Sequence, residues 1–305
     1  MLGFTLAELA VVLLVIGLLM FALLPTSAVM LSNSRHSATQ QKLNNIDAAL
    51  VNFVIVNKRL PCPADGSLVL DTTSPVPSGS DGTEGARDGN GDCTNSQAKG
   101  IVPWVALGLT INDVVDAWNN LFTYRAAYGL TRNTALDMSS CDPAGTANTT
   151  PAMNGNAAAI NTGLCNSATC IGTFAAANCT TPSQYLAFKG INVESSVSPV
   201  VKVMDFTLST GAAYVLISHG DNGYGAYSAQ GVYQTPTSDW TGAVGNTLED
   251  PNWNTGHTVT SAAPPTFVDA TFSDSGTLTA HFDDVVLRPL LMSVITRAQL
   301  GPRSH

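Results

Sequence analysis

A long apolar run near the N-terminus constrains this chain more than any other feature. The run extends from Leu6 to Leu24, and Glu8 is the only charged residue before Arg35. A helix rises about 1.5 Å per residue, so a run of this length can cross a hydrocarbon core of about 30 Å. The sequence therefore predicts a membrane-spanning helix over about residues 6–24, with the remainder of the chain outside the membrane.

An ordinary secretory signal peptide is the weaker interpretation of this run. Such a peptide has a basic start, a shorter apolar region and a cleavage site after small residues. Here Gly3 precedes the run, a polar group at Thr5 and Glu8 opens it, and the nearest small residues after it are at 27–29. The pattern favours a segment that stays with the protein.

The residues Gly3-Phe4-Thr5-Leu6-Ala7-Glu8 and the apolar run resemble the N-terminus of type IV pilins and type II secretion pseudopilins. The resemblance implies that residues 1–3 are a leader, that a prepilin peptidase cuts between Gly3 and Phe4, and that Phe4 becomes an N-methylated first residue. It also implies that Gly17 and Pro25 are helix breakers that loosen the helix during assembly. The leader departs from the family in one respect, because no basic residue precedes Gly3.

Glu8 is expected to act in assembly. A carboxylate inside an apolar environment is costly unless it is paired, and polar residues in such segments usually mark function. The family implies that Glu8 neutralises the amine of Phe4 in a neighbouring subunit while the apolar helices pack together. The alternative is that Glu8 lies at the membrane surface and reaches water.

The resemblance also implies the partners and the location of the protein. The expected partners are other pilin or pseudopilin subunits, a prepilin peptidase and an inner-membrane assembly platform. The expected location is the inner membrane before assembly, with the C-terminal part outside the cytoplasm, and then a periplasmic or cell-surface filament. Nucleic acid is not expected as a partner, because the net charge is −9 and the 13 Lys and Arg residues are scattered.

A second helical pattern follows the apolar run. Apolar residues recur at Leu43, Ile46, Leu50 and Val54, the spacing of an amphipathic helix. The prolines after Leu60 end this helix. We therefore predict an α+β fold, in which a helical stem over residues 4–58 carries a globular head over residues 59–305.

The head is expected to contain an antiparallel β-sheet and long loops. Strand-like runs rich in β-branched and aromatic residues include residues 200–206 and 213–219. Polar loop insertions are predicted at about residues 71–100 and 131–181. Near the C-terminus, Asp283 and Asp284 precede an apolar run, where they either cap a terminal helix or ligate a cation; capping is the simpler interpretation.

Six cysteines follow the apolar run, and none lies in a Cys-x-x-Cys pair. An even number in an exported chain favours disulfides, here three, although six cysteines allow about 15 connectivities. Cys62 with Cys93, and local pairing among the last three, are the pairings considered. The six are Cys62, Cys93, Cys141, Cys165, Cys170 and Cys179.

One loop segment has the first part of a calcium-binding pattern. Asp88, Asn90 and Asp92 alternate with glycines, which let oxygen ligands converge on a hard cation. The glutamate that usually completes this pattern is missing, so Asp81 or Glu84 would have to supply further ligands. Type II pseudopilins are a family with calcium sites. The alternative is a solvated acidic turn.

These observations predict a structural filament subunit, namely a minor or large pilin whose head takes part in adhesion or secretion. A membrane-tethered binding protein that does not assemble is one alternative. A surface enzyme is another, and clustering of His219, His257 and Asp283 would favour it. No Gly-x-Ser-x-Gly motif is present, and we expect no enzymatic activity.

Overall fold

The structure is a computed structural model of the 305-residue chain. It describes residues 5–67, 82–89, 91–94, 100–139, 186, 189–197, 199–235, 248–253, 266–273 and 281–302, with only the backbone described for 19–29 and 197. The predicted insertions at 71–100 and 131–181 therefore lie largely outside the described residues.

Helix α1 extends from Leu6 to Asn57. A capping box starts it: the Glu8 amide donates to the Thr5 hydroxyl at 3.3 Å, and the Thr5 amide donates to the Glu8 carboxylate at 2.8 Å. These bonds satisfy donors that have no partner in the first turn. At the other end Lys58 adopts a left-handed conformation with φ of 56°, and its amide donates to Val54. The sequence prediction placed the end of the helix correctly.

The second half of α1 packs on a five-stranded antiparallel sheet. Its strands are β1 (Ala64–Asp65), β2 (Gly100–Ile101), β4 (Thr123–Ala126), β7 (Tyr214–Ser218) and β10 (Val285–Leu287), in that spatial order. Every residue of β7 is buried, as expected for a continuous apolar run in the middle of a sheet. The sheet and helix enclose a core whose largest buried members include Leu43, Ile46, Leu50, Phe122, Tyr124 and Tyr214.

Two smaller sheets flank the central one. Strands β3 (Asn120–Leu121) and β8 (Tyr227–Ser228) form an antiparallel pair. In the other sheet, β5 (Asn192–Val197) lies between β6 (Val200–Met204), which is antiparallel to it, and β9 (Thr266–Val268), which is parallel to it. The sheet prediction was therefore incomplete, because it did not include a parallel pair.

Short helices complete the described elements. A 3₁₀ helix covers Ile111–Asp113, α2 covers Asp250–Trp253, and α3 covers Leu291–Arg297. Beyond α1, the described part of the head is thus mostly sheet. The predicted capping of a terminal helix by Asp283 and Asp284 is wrong, because both residues precede strand β10 and α3 begins only at Leu291.

The predicted fold class is wrong, because it included a stem that spans the membrane. No helix in the described part of the chain is long and apolar enough to cross a membrane. Between residues 32 and 54 the outer side of α1 is mostly polar or charged, and its large apolar side chains, among them Leu43, Ile46, Leu50 and Val54, are buried against the head. The span predicted over about residues 6–24, and the inner-membrane anchor that depended on it, are not supported. The observed class is mixed α/β.

Candidate functional site

The first turns of α1 expose an unusually apolar surface, which we call the apolar segment (residues 6–18). Its large side chains are between 46% and 87% exposed, and a Cβ added at Gly17 would meet nothing within 4 Å. They point to all sides of the helix because they are consecutive. Scattered exposed apolar residues are ordinary, whereas a contiguous apolar surface indicates an interaction site. Its members are Leu6, Leu9, Val11, Val12, Leu13, Leu14, Val15, Ile16 and Leu18.

Glu8 lies at the start of this segment. Hydrogen bonds from the Thr5 amide and the Thr5 hydroxyl, both at 2.8 Å, hold the pKa of the Glu8 carboxyl below its usual range. The carboxylate is therefore ionised at neutral pH. Gly3 and Phe4, the predicted processing residues, lie outside the described residues. Gly17 and Pro25, the predicted helix breakers, both fall within the bounds of α1.

In the predicted calcium loop, the carboxylate of Asp92 is already bound by an arginine. Arg132 holds Asp92 in a bidentate ion pair, with Nε 2.9 Å from Oδ1 and Nη2 2.5 Å from Oδ2. The Asp88 carboxylate accepts a hydrogen bond from the Asp92 amide at 2.9 Å. Asn90 and Asp81 lie outside the described residues. A bidentate arginine satisfies most of the acceptor capacity of a carboxylate, so Arg132 would compete with a cation for Asp92. Calcium binding in this loop stays a prediction.

Glu84 has an arginine partner of its own. Arg59 donates to its two oxygens at 2.5 and 3.0 Å, and the Cys62 amide donates to it at 2.9 Å. Cys62 and Cys93 form a disulfide. The other four cysteines, Cys141, Cys165, Cys170 and Cys179, lie outside the described residues. The segment from 82 to 94 is consequently attached to the residues that follow α1 by both a disulfide and an ion pair.

The histidine that invited an enzymatic interpretation is enclosed in the head. His219 is 1% exposed; its Nε2 lies 2.9 Å from the Thr123 hydroxyl, and its Nδ1 lies 3.5 Å from an Asp284 oxygen. These neighbours give it a role in core packing. His257 lies outside the described residues, so the cluster of His219, His257 and Asp283 is not tested.

The sequence analysis missed a group of buried acids near Asp283. Glu249, just before α2, is 2% exposed, and Asp284 is 8% exposed. Burial raises the pKa of Glu249 to about 9, and the nearby carboxylates of Asp284 and Asp283 act in the same direction. His281 and Asp283 stand two residues apart in an extended stretch, a spacing that puts both on one side and could have been noticed. Nothing local in the sequence links Glu249 to them.

Comparison of this chain with protein-family models, with curated proteins and with solved structures gives no match.

Proposed function

We propose that this protein is a subunit of a filament related to type IV pili or type II secretion pseudopili. The observation that carries the proposal is the division of α1 into two parts. The second part is packed into the head, whereas the apolar segment is exposed and offers a surface for other subunits. The N-terminal motif from Gly3 to Glu8 supports the same conclusion.

The apolar segment supplies the driving force for assembly. Complete burial of one Val, Leu or Ile side chain contributes about 1.5–3 kcal/mol. A helix that is apolar on all sides is stable in water only when other elements surround it. Several copies packed side by side would provide that environment, and each would keep its own head outside the bundle. The occupant of this surface is therefore the same segment of other subunits.

Glu8 would set the register of that packing. Its ionised carboxylate cannot be buried between helices without a compensating positive charge. Cleavage between Gly3 and Phe4 would create an amine at Phe4, close to the apolar segment of the adjacent subunit. An ion pair between that amine and Glu8 would favour one axial offset over others, because any other offset leaves both charges unpaired in an apolar environment.

The test uses Glu8→Gln with Asp113→Asn as its matched control. Asp113 makes a capping box with Thr110 like that of Glu8 with Thr5, and both carboxylates are exposed. The full chain is co-expressed with a type IV pilus or a type II secretion assembly system. Sheared filaments are then analysed by immunoblotting and by mass spectrometry of the subunit N-terminus.

We expect the wild type and Asp113→Asn in the filament fraction, with Phe4 as first residue, and Glu8→Gln absent from it. Both substitutions keep a side-chain oxygen that can accept from the N-cap amide and remove only the negative charge of a capping carboxylate, so a difference between the two reports on assembly. Three results would overturn the proposal: a wild type absent from the filaments of both systems, an intact Met1 in filaments, or Glu8→Gln at the wild-type level.

A further inference from the structure

Three side chains with metal-binding atoms converge beside the ends of β7 and β10. One ligand atom each from Glu249, His281 and Asp283 lies within 4.8 Å of the others. His281 Nε2 is 3.8 Å from Glu249 Oε1 and 3.6 Å from Asp283 Oδ2. We call this group the Glu249 cluster.

The backbone holds the two carboxylates of this cluster in place. Pairing of Val285 with Ser218 brings Asp283 to the turn after β7, where the amides of Asp221 and Asn222 donate to its Oδ2 at 2.8 and 3.0 Å. The amide of Asp283 in turn donates to Glu249 Oε1 at 2.7 Å. A carboxylate oxygen has two lone pairs, so Glu249 Oε1 can accept this hydrogen bond and still bind a cation, whereas Asp283 would bind it through its other oxygen, Oδ1.

Among the described residues, no ion pair joins a lysine or arginine to the carboxylates of this cluster. Glu249, Asp283 and the adjacent Asp284 are at most 8% exposed. Within the described ranges, the ion pairs of these three carboxylates involve only histidines, His219 and His281. Buried carboxylates are normally paired with a cationic group or coordinate a metal. Three neighbouring buried carboxylates without a lysine or arginine partner therefore favour the binding of a cation.

A second observation points to a ligand. Asp283 Oδ1 is buried and has no hydrogen-bond partner among the described residues, although the other oxygen of the same carboxylate has two. Asp283 and His281 also line a cavity of about 410 Å³ between α1 and the head. The unsatisfied oxygen therefore belongs to a carboxylate that has both an open approach and a histidine beside it.

We propose that the Glu249 cluster binds one divalent transition-metal cation, with Zn²⁺ as the best match, through Glu249, His281 Nε2 and Asp283. The ligands of tetrahedral zinc are about 3.4 Å apart, so the separations of 3.8 and 3.6 Å from His281 Nε2 to the two carboxylates are a few tenths of an ångström above this distance, and the three ligand atoms all lie within 4.8 Å of one another. Imidazole suits zinc, whereas calcium takes oxygen ligands only. The fourth position faces the cavity and is open to water or to an exogenous ligand.

The experiment uses the full chain, kept in mild detergent because of the apolar segment and stripped of metal with EDTA. It is titrated with ZnCl₂ by isothermal calorimetry, with and without excess CaCl₂, and its Tm is followed in parallel. We expect one bound Zn²⁺ per chain, a higher Tm with zinc, and a zinc isotherm that excess calcium leaves unchanged. Metal binding to the native state alone raises Tm through mass action.

His281→Gln is the test variant and His36→Gln is its control. His36 lines the same cavity and packs edge-on against Trp118 and Phe272, but it is not part of the cluster. We expect His281→Gln to raise the Kd for Zn²⁺ by about tenfold or more, and His36→Gln to leave it unchanged. The two variants should have the circular dichroism spectrum of the wild type.

Zinc X-ray absorption spectroscopy is performed on the wild type, so its result does not depend on whether a variant folds. A spectrum with one imidazole and oxygen ligands supports the site. The proposal is overturned if the wild type binds no zinc, if the spectrum lacks the imidazole, if excess calcium displaces the bound zinc, or if folded His281→Gln binds zinc like the wild type. None of these results bears on filament assembly, which is measured with Glu8.

Discussion

Arg297 in the last helix donates a hydrogen bond to Asp47 in α1, with Nη2 2.6 Å from Oδ2, although 250 positions separate the two residues. The hydroxyl of Tyr214, in the interior strand β7, donates to the other oxygen of the same carboxylate. Asp47 thus joins the N-terminal helix, the middle of the sheet and the C-terminal helix. It is the point through which three distant parts of the chain fix one another.

Replacement of Asp47 should be far more costly than replacement of Arg297. Asp47→Ala leaves the buried Tyr214 hydroxyl without its acceptor, and we expect a loss of about 2–4 kcal/mol in the free energy of unfolding. The Arg297 side chain is 41% exposed, so Arg297→Ala should cost about 1 kcal/mol or less. Urea denaturation of the two variants provides the comparison. Equal losses would show that the ion pair, and not the buried hydrogen bond, is the important contact.

Lys189 should make stability depend on pH in the alkaline range. Burial lowers its pKa to about 8 in the folded state, whereas the unfolded chain has an ordinary lysine. Between about pH 8 and 10.5 the unfolded state therefore binds more protons, and stability rises with pH by up to about 3 kcal/mol. Lys189→Met should remove this rise, while Lys202→Met, at a partly exposed lysine, should keep it. Identical pH profiles for wild type and Lys189→Met would contradict the assignment.

Gly190 should not tolerate a side chain. Its φ is +102°, and a Cβ there would lie 2.8 Å from the backbone of Gly211, closer than such atoms approach. We expect Gly190→Ala to cost at least about 2 kcal/mol, since it combines backbone strain with a steric clash. The control is Gly17→Ala, in an open position of α1, which should stabilise the helix by about 0.5–1 kcal/mol. Thermal unfolding followed by circular dichroism distinguishes the two, and similar Tm values would count against the close approach.

Removal of the Cys62–Cys93 disulfide should destabilise the head without unfolding it. The bond closes a segment with a sequence separation of 31, for which the chain-entropy contribution is about 2–4 kcal/mol. We expect the lower end of that range for the Cys62→Ser, Cys93→Ser double variant, because ion pairs hold the same segment. Guanidinium denaturation gives the value. Non-reducing peptide mapping must also recover the two cysteines in one linked fragment, and any other pairing would refute the structure here.

Periodicity predicted the parts of the fold that are defined by local apolar pattern. Leu43, Ile46, Leu50 and Val54 are fully buried, as an amphipathic helix requires. The apolar run 213–219 contains β7, since a continuous run is the pattern of a strand buried on both faces. These elements could be predicted because each depends mainly on its own residues.

Elements that depend on distant partners could not be predicted in this way. Strand β5 is rich in Asn, Glu and Ser, and it is held by pairing with β6 and, in parallel, with β9. Asp283 and Asp284 resemble a helix cap, but the β-branched Val285 and Val286 after them pair with β7 instead. The Glu249 cluster also depends on distant partners, because Glu249 and the stretch from His281 to Asp283 belong to separate segments and meet only in the folded head.

The segment from 82 to 94 is retained by bonds that fail under different conditions. Reduction opens the Cys62–Cys93 bond but leaves the two arginine pairs, whereas high salt weakens the arginine pairs but leaves the disulfide. Neither treatment alone removes every attachment. The segment therefore stays attached to the head in reducing as well as in oxidising surroundings.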